Sequence, residues 1–258
     1  MVPRIRAGRS RLPRGWRGWL RLAVRFALVG LLVVAGDRLA ATLTHHGWTM
    51  SLTPVIAIRL LSALPILRFP FEGFLFALEV DKWDWYWLAA GSKSLEYQAL
   101  YQEWDKVLDL FVLAVALVVA MRWEDTTMRF LAISTYVLRV VGVASFMITE
   151  QRWILLVAPN VFETLFLMFV AFQVVTGAPR MVQRARDTAL VFTAALIPKV
   201  VQEYFMHVLE RRPWDWVDLP VPHAIEPQIW LFSIYVPALL VVIVLARRSR
   251  RDIAATAP

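Results

Sequence analysis

The chain has 258 residues, of which 59% are hydrophobic, and it carries a formal net charge of +8. Soluble domains contain about 45–50% apolar residues, and several apolar runs here are long enough to cross a bilayer as helices. The composition therefore excludes an ordinary soluble domain and predicts an all-α, polytopic integral membrane helix bundle. Because there is no cysteine, disulfides, zinc–thiolate sites, iron–sulfur clusters and thiol nucleophiles are also excluded.

The N-terminal region is strongly basic, with seven arginines and no acid among residues 1–21. This cytoplasmic tail (1–19) precedes an apolar stretch that we interpret as the first helix (20–43), and the positive-inside rule places the N-terminus inside. The arginines are predicted to contact anionic lipid headgroups, with no nucleic-acid partner. The preference for arginine over lysine fits a bacterial protein of the inner or plasma membrane.

Residues 45–104 contain two short apolar stretches interrupted by charged residues, among them Arg59, which we expect to extend its guanidinium to the membrane surface. The first helix is predicted to end outside, and the span that follows this region is predicted to start outside. The region must therefore cross the membrane an even number of times. We predict an external interfacial or re-entrant hairpin, which gives six transmembrane helices. The alternative is eight transmembrane helices, with Arg68 at an inside turn.

The region 105–246 is predicted to hold five spans with a polar core. They are Lys106–Met121, Arg129–Thr149, Trp153–Val175, Asp187–Val208 and Gln228–Ala246. Arginines between the third and fourth of these spans, and in the basic tail 247–258, place those segments inside. The chain is thus predicted to be a single multi-pass membrane domain, N-in and C-in.

The stretch 194–207 carries the most informative polar residues of these spans. Steps of four residues place Lys199, Glu203 and His207 near one helix face, with Gln202 beside them. A charge in the middle of a span costs about 3 kcal/mol or more, so these groups must have partners on other helices.

Other spans supply those partners. Arg139 and Glu163 lie at similar predicted depth, so we expect them to pair, and Lys199 is expected to pair with an acid of a facing helix. Pro159 is expected to loosen its helix beside a charged position. The predicted substrate or ion pathway comprises Asp105, Asp109, Arg139, Asn160, Glu163, Lys199, Gln202, Glu203 and His207. If all faced one cavity, the four carboxylates would outnumber the two cations and favour a proton or a cation.

The four histidines raise a separate hypothesis. His45, His46, His207 and His223 all fall on the predicted external side, where imidazoles and carboxylates could hold zinc, copper or haem. No HExxH, HxH or similar spacing supports such a site, so no metal is predicted and the cofactor is left open. The tryptophan-rich segments around residues 83–87 and 214–216 are interpreted as interfacial belts.

Three functions are compatible with these features. The first is a membrane channel or transporter with a polar intramembrane cavity for a proton, cation or small polar solute. The second is an intramembrane enzyme acting on a lipid or lipid-linked substrate at the outer leaflet. The third is a non-catalytic subunit or assembly factor of a membrane complex, and either a homo-oligomer or a larger complex fits the sequence.

Overall fold

The computed structural model describes residues 52–89, 95–209 and 226–255, together with separate positions between 20 and 42. Every regular element in these residues is a helix, so the predicted all-α class is confirmed there. The predictions for the N-terminal tail, for three histidines and for the tryptophan belts lie outside the described residues or side chains. Those histidines and tryptophans are His45, His46, His223, Trp83, Trp85, Trp214 and Trp216.

The chain divides into two compact units, Arg11–Val119 and a unit that contains Ala120–Pro258. The prediction of a single membrane domain, with the tails, first helix, hairpin region and polar-core bundle given above, stays a prediction. In the first unit, the described helices are α1 (Leu52–Ala63), a 3-10 helix (Leu64–Leu67), α2 (Pro70–Ala89) and α3 (Leu95–Ala120). In the second unit they are α4 (Thr126–Thr149), α5 (Trp153–Val157), α6 (Val161–Thr176), α7 (Ala185–His207) and α8 (Glu226–Ala255).

In the first unit, α1 and α2 form a tight helical hairpin through the 3-10 helix. The N–H of Phe69 donates to the carbonyl of Pro65 at 2.8 Å, which turns the chain directly into α2. The turn packs so closely on α2 that a Cβ on Gly73 would lie 2.5 Å from the backbone nitrogen of Ile66. Only glycine allows the two backbones to approach in this way.

The helix α3 begins at Leu95, about three turns before the predicted start of the span at Lys106. The prediction followed hydropathy, whereas residues 95–105 are rich in polar and acidic side chains that still have good helix propensity. The last helix likewise continues past the predicted end at Ala246 to Ala255, through the C-terminal arginines.

Three of the described helical segments are long and apolar enough to cross a membrane: Thr126–Thr149, Trp153–Thr176 and Ala185–His207. All three belong to the second unit. Within its most apolar window, the middle segment is 72% buried, against 28% and 33% for the other two. The segment formed by α5 and α6 is therefore the enclosed element around which the second unit is built.

Aromatic residues fill the interior along α6. Phe162, Phe166, Phe169 and Phe172 are completely buried, and the ring of Trp123 lies 4.2 Å from that of Phe169 between centroids. The outward faces of α4 and α7 are apolar as well, as Ile148 (83% exposed) and Ile197 (54% exposed) illustrate. A helix that contacts lipid has apolar residues on its outer face as well as on the face toward the protein interior.

A buried aspartate joins the start of α4 to the segment between α6 and α7. Asp125 caps α4 by accepting from the N–H of Met128 at 3.1 Å. Its other carboxylate oxygen accepts from the N–H groups of Met181 and Val182 at 2.8 and 3.0 Å. The beginnings of α4 and α7 consequently lie at the same end of the unit.

The end of α8 packs at this same end of the unit. Arg248 donates to Asp187 near the start of α7 at 3.1 Å, and Arg250 donates to the carbonyl of Val175 near the end of α6 at 2.8 Å. The arginine-rich segments 177–186 and 247–251 are thereby brought together. We call this the arginine-rich end.

Candidate functional site

The central segment of the second unit is broken where Pro159 interrupts it. Between α5 and α6 the chain passes through Ala158 (φ −115°, ψ 63°) and Asn160 (φ −75°, ψ 58°), neither of which is helical. Both residues are buried, so their backbone polar groups must find partners inside the protein. The predicted loosening of the helix at Pro159 is confirmed as a complete break.

Two charged side chains from α4 and α7 supply partners for this break. The Arg139 guanidinium donates to the Ala158 carbonyl at 3.0 Å, and it lies 3.2 Å from a Glu203 carboxylate oxygen. The same Glu203 oxygen accepts from the backbone N–H of Asn160 at 3.3 Å. Arg139 and Glu203 are only 4% and 5% exposed, so this ion pair is part of the backbone hydrogen bonding of the break.

The predicted pair of Arg139 with Glu163 is therefore wrong. The prediction assumed one continuous helix from Trp153 to Val175, and the break changes the direction in which residues after Pro159 project. Arg139 contacts the chain before α6, whereas Glu163 lies in the first turn of α6 and contacts α7.

Glu163 has hydrogen bonds from three side chains. One of its oxygens accepts from the Lys199 ammonium and from the Tyr235 hydroxyl, both at 2.7 Å, and the other accepts from the Asn160 amide at 2.9 Å. Lys199 also donates to Gln202 at 2.9 Å. The prediction that Lys199 pairs with an acid of a facing helix is confirmed.

Tyr235 of α8 was not predicted, because the predicted pathway includes no residue of the last span, Gln228–Ala246. Its hydroxyl bonds Glu163, and the Lys199 ammonium lies 5.4 Å from the centre of its ring, an arrangement that favours the cation. A tyrosine two residues before Pro237 within an apolar run was the available signal, since a buried phenol needs a hydrogen-bond partner.

His207 completes the polar face of α7. Its Nε2 lies 2.9 Å from the second carboxylate oxygen of Glu203, and its side chain is 10% exposed at the last residue of the helix. The spacing of four residues therefore does place Lys199, Glu203 and His207 in one network. We call this network the polar cluster; it comprises Arg139, Asn160, Glu163, Lys199, Gln202, Glu203, His207 and Tyr235.

The two remaining predicted residues, Asp105 and Asp109, belong to the first unit, where they surround Arg59. The Arg59 guanidinium donates to Asp109 at 2.8 Å and to Asp81, and it lies 3.9 Å from Asp105. Arg59 is 1% exposed, so the expectation that it reaches the membrane surface is wrong. Three acids of two other helices hold it inside the unit, and hydropathy alone could not reveal them.

Carboxylate oxygens of Asp81, Asp105 and Asp109 also lie within 4.8 Å of one another, which is close enough for a shared cation. The Arg59 guanidinium already contacts two of these carboxylates. The Lys106 ammonium lies 2.8 Å from Asp105 as well, so this acidic group already holds the charges of Arg59 and Lys106.

The polar cluster has balanced charges when His207 is neutral. It contains two carboxylates, Glu163 and Glu203, and two cations, Arg139 and Lys199, in two ion pairs of 2.7 and 3.2 Å. The expected acidic excess required Asp105 and Asp109 to share the cavity, and these two instead lie with Arg59 in the first unit.

Three buried polar atoms in and beside the cluster have no hydrogen-bond partner among the described residues: Asn160 Oδ1, Thr164 Oγ1 and His207 Nδ1. Asn160 directly precedes α6, and Thr164 lies in the first turn of that helix. A buried polar atom without a partner costs about 1–3 kcal/mol. Asn160 Oδ1 and Thr164 Oγ1 at the start of α6, and His207 Nδ1 at the end of α7, can thus each bond a further polar group.

A close contact with α4 holds the break in position. A Cβ on Gly142 would lie 2.2 Å from the Cβ of Ala158, the residue whose carbonyl Arg139 bonds. We expect Gly142→Ala to destabilise the fold by about 1–3 kcal/mol, because the helix and the break must separate. The measurement is the melting temperature of the purified protein in detergent.

Two further variants make this result specific to the contact. Gly142→Ala combined with Ala158→Gly should regain most of the lost stability, because the second change removes the clashing methyl. Gly30→Ala is the matched control, since nothing lies within 4 Å of a Cβ at that position. An equal loss in Gly142→Ala and Gly30→Ala would contradict the packing described for the break.

Comparison with known proteins assigns the chain to no family. No protein-family model matches the sequence, and neither a curated protein nor a solved structure matches it. What the polar cluster can do must follow from its own geometry.

Proposed function

We propose that the chain is a multi-pass transport protein of the inner or plasma membrane, in which the polar cluster is the pathway for a proton or another small cation. The observation that carries this proposal is the broken segment at Pro159, whose backbone is bonded by charged side chains of neighbouring helices. Non-helical backbone at membrane depth is tolerated where protein or a polar cavity bonds it, and discontinuous helices of this kind build the ion and substrate sites of transporters.

The connectivity of the cluster favours a proton over a larger solute. His207 Nε2 lies 2.9 Å from Glu203, and Glu203 accepts from the backbone N–H of Asn160. The Asn160 side-chain amide donates to Glu163, which also accepts from Lys199. Chains of acids and histidines inside a span are the usual components of proton relays. The chain of contacts reaches from the middle of α7 to its last residue, where His207 is partly exposed.

The arginines support an orientation for this pathway. By the positive-inside rule, the arginine-rich end faces the cytoplasm, and the His207 end of α7 then faces outside. This orientation agrees with the N-in, C-in arrangement of six spans, which we retain as part of the proposal together with the external hairpin in 45–104.

The test measures ion flux in proteoliposomes that contain the full chain. A pH-sensitive dye is enclosed, and a potassium gradient with valinomycin imposes a membrane potential, so that proton entry appears as a fluorescence change. We expect the wild-type protein to conduct protons above the rate of empty liposomes, and Glu203→Gln to reduce this rate at least about tenfold, because proton transfer by a positioned group contributes at least about a hundredfold.

Glu124→Gln is the matched control, because Glu124 is an exposed acid outside the polar cluster. Its flux should equal that of the wild type. The same liposomes are assayed with sodium and potassium gradients in place of the proton gradient. Wild-type liposomes that behave like empty ones for all three ions would overturn the proposal.

One observation favours a second candidate, a non-catalytic subunit of a membrane complex. Each of the four charges in the cluster has an opposite charge within 3.2 Å, and buried pairs can fix the register of packed helices without moving an ion. A purely structural cluster predicts that Glu203→Gln changes the melting temperature while wild-type liposomes show no ion flux.

A further inference from the structure

An apolar groove lies on the outside of the second unit, at the arginine-rich end. It has a volume of about 400 Å³ and is lined by Leu131, Ala185, Thr188, Ala189 and Phe192. Leu131 lies in the second turn of α4, and the other four lie in the first two turns of α7. The Thr188 hydroxyl donates to the Arg184 carbonyl within its own helix, so the groove offers an apolar lining.

Positive charge is concentrated where the groove begins. Arg184 precedes the first residue of α7, and Arg186 follows that residue with a side chain that is 69% exposed. Arg186 lies one turn before Ala189, so its helical position is adjacent to the lining. The first N–H groups of α7 point toward the same end and add a partial positive charge.

This combination of an apolar groove and a basic rim matches a phospholipid. A basic pocket between membrane helices on the cytoplasmic side is a typical binding site for anionic headgroups. The small side chains of Ala185 and Ala189, four residues apart on α7, leave room along the helix for one acyl chain. Glu124, an exposed acid at this end, belongs to the turn before α4 and does not line the groove.

We propose that this groove binds one anionic phospholipid, with its phosphate at Arg184 and Arg186 and one acyl chain along Ala189 and Phe192. Charge complementarity between the rim and the headgroup, together with the apolar character of the groove, supports this assignment. The lipid site is independent of ion transport, because it includes none of the residues of the polar cluster.

The experiment is native mass spectrometry of the full chain in mild detergent, titrated with phosphatidylglycerol or phosphatidylcholine that carry the same acyl chains. We expect the first phosphatidylglycerol to bind more tightly than the first phosphatidylcholine. Arg186→Gln should weaken the first phosphatidylglycerol about fivefold, as expected for the loss of one arginine near a charged headgroup.

A pair of tryptophan variants tests the groove itself. Ala189→Trp fills the groove and should abolish the first binding event. Leu190→Trp is the matched control, because Leu190 is 45% exposed on the same turn but does not line the groove. Melting temperature and size-exclusion profile verify that both variants fold, and Ala185→Leu replaces Ala189→Trp if that variant does not.

Two outcomes would overturn the proposal. Equal binding of the two lipids would show that the arginines do not select an anionic headgroup. Equal binding of phosphatidylglycerol by Ala189→Trp and Leu190→Trp would show that the lipid binds on the charged surface and does not enter the groove. This conclusion would hold whether or not Arg186→Gln weakens binding.

Discussion

Replacing Lys199 with alanine is expected to destabilise the protein by about 3–5 kcal/mol, which is the usual cost of removing one partner of a buried ion pair. The change leaves the Glu163 carboxylate buried with only the Tyr235 hydroxyl and the Asn160 amide as donors. The melting temperature in detergent should fall by on the order of 10 °C.

The double variant Lys199→Met with Glu163→Leu separates lost charge pairing from lost volume. Replacing a buried pair by apolar residues of similar size is often neutral for stability, so the double variant should regain part of the stability that Lys199→Ala loses. The recovery is incomplete, because the Tyr235 hydroxyl and the Asn160 amide lose their acceptor. In proteoliposomes it should nevertheless be inactive, because the proposed pathway has lost its central acid. A Lys199→Ala protein that melts within about 2 °C of the wild type would contradict the pairing.

Replacing Arg139 with methionine is the second change with a large expected effect, again about 3–5 kcal/mol. Arg139 has two roles, because it pairs with Glu203 and also donates to the Ala158 carbonyl in the break. The variant should therefore lose both an ion pair and a backbone hydrogen bond, and the loss is measured as a melting temperature.

The corresponding apolar double variant should behave differently from the first one. Arg139→Met with Glu203→Leu leaves the Ala158 carbonyl and the Asn160 N–H without their partners, and unbonded backbone inside a span is costly. We expect no recovery of stability beyond the single variant. Recovery to the wild-type melting temperature would mean that the break does not depend on these two side chains.

The polar face of α7 is predictable from the sequence because it depends on one local rule. Four-residue steps in a helix place Lys199, Glu203 and His207 together, and no tertiary detail changes that. The cost of an unpaired charge then requires a partner, which is why the pairing of Lys199 with an acid of another helix could be predicted. Which residues share one face of a continuous helix can thus be predicted from a single sequence.

The identity of each partner could not be predicted, because it depends on where a helix stops. Pro159 signals a disturbance, but the sequence does not state whether the helix bends or breaks, and the break decides that Arg139 contacts Glu203. The partners of Arg59 could not be predicted for a related reason. The three aspartates around its guanidinium belong to other helices, which approach Arg59 only in the folded unit. The hydrogen bond from Tyr235 to Glu163 depends in turn on how α8 packs against α6.

The break at Pro159 also has a consequence for how the protein is made. The side chains that bond it come from α4, which the ribosome completes before the break, and from α7, which it completes afterwards. Until α7 has entered the membrane, the Asn160 N–H lacks its acceptor and Glu163 lacks Lys199. A nascent chain that ends before α7 therefore carries a polar segment without its hydrogen-bond partners, which costs about 1–3 kcal/mol for each buried group left unbonded.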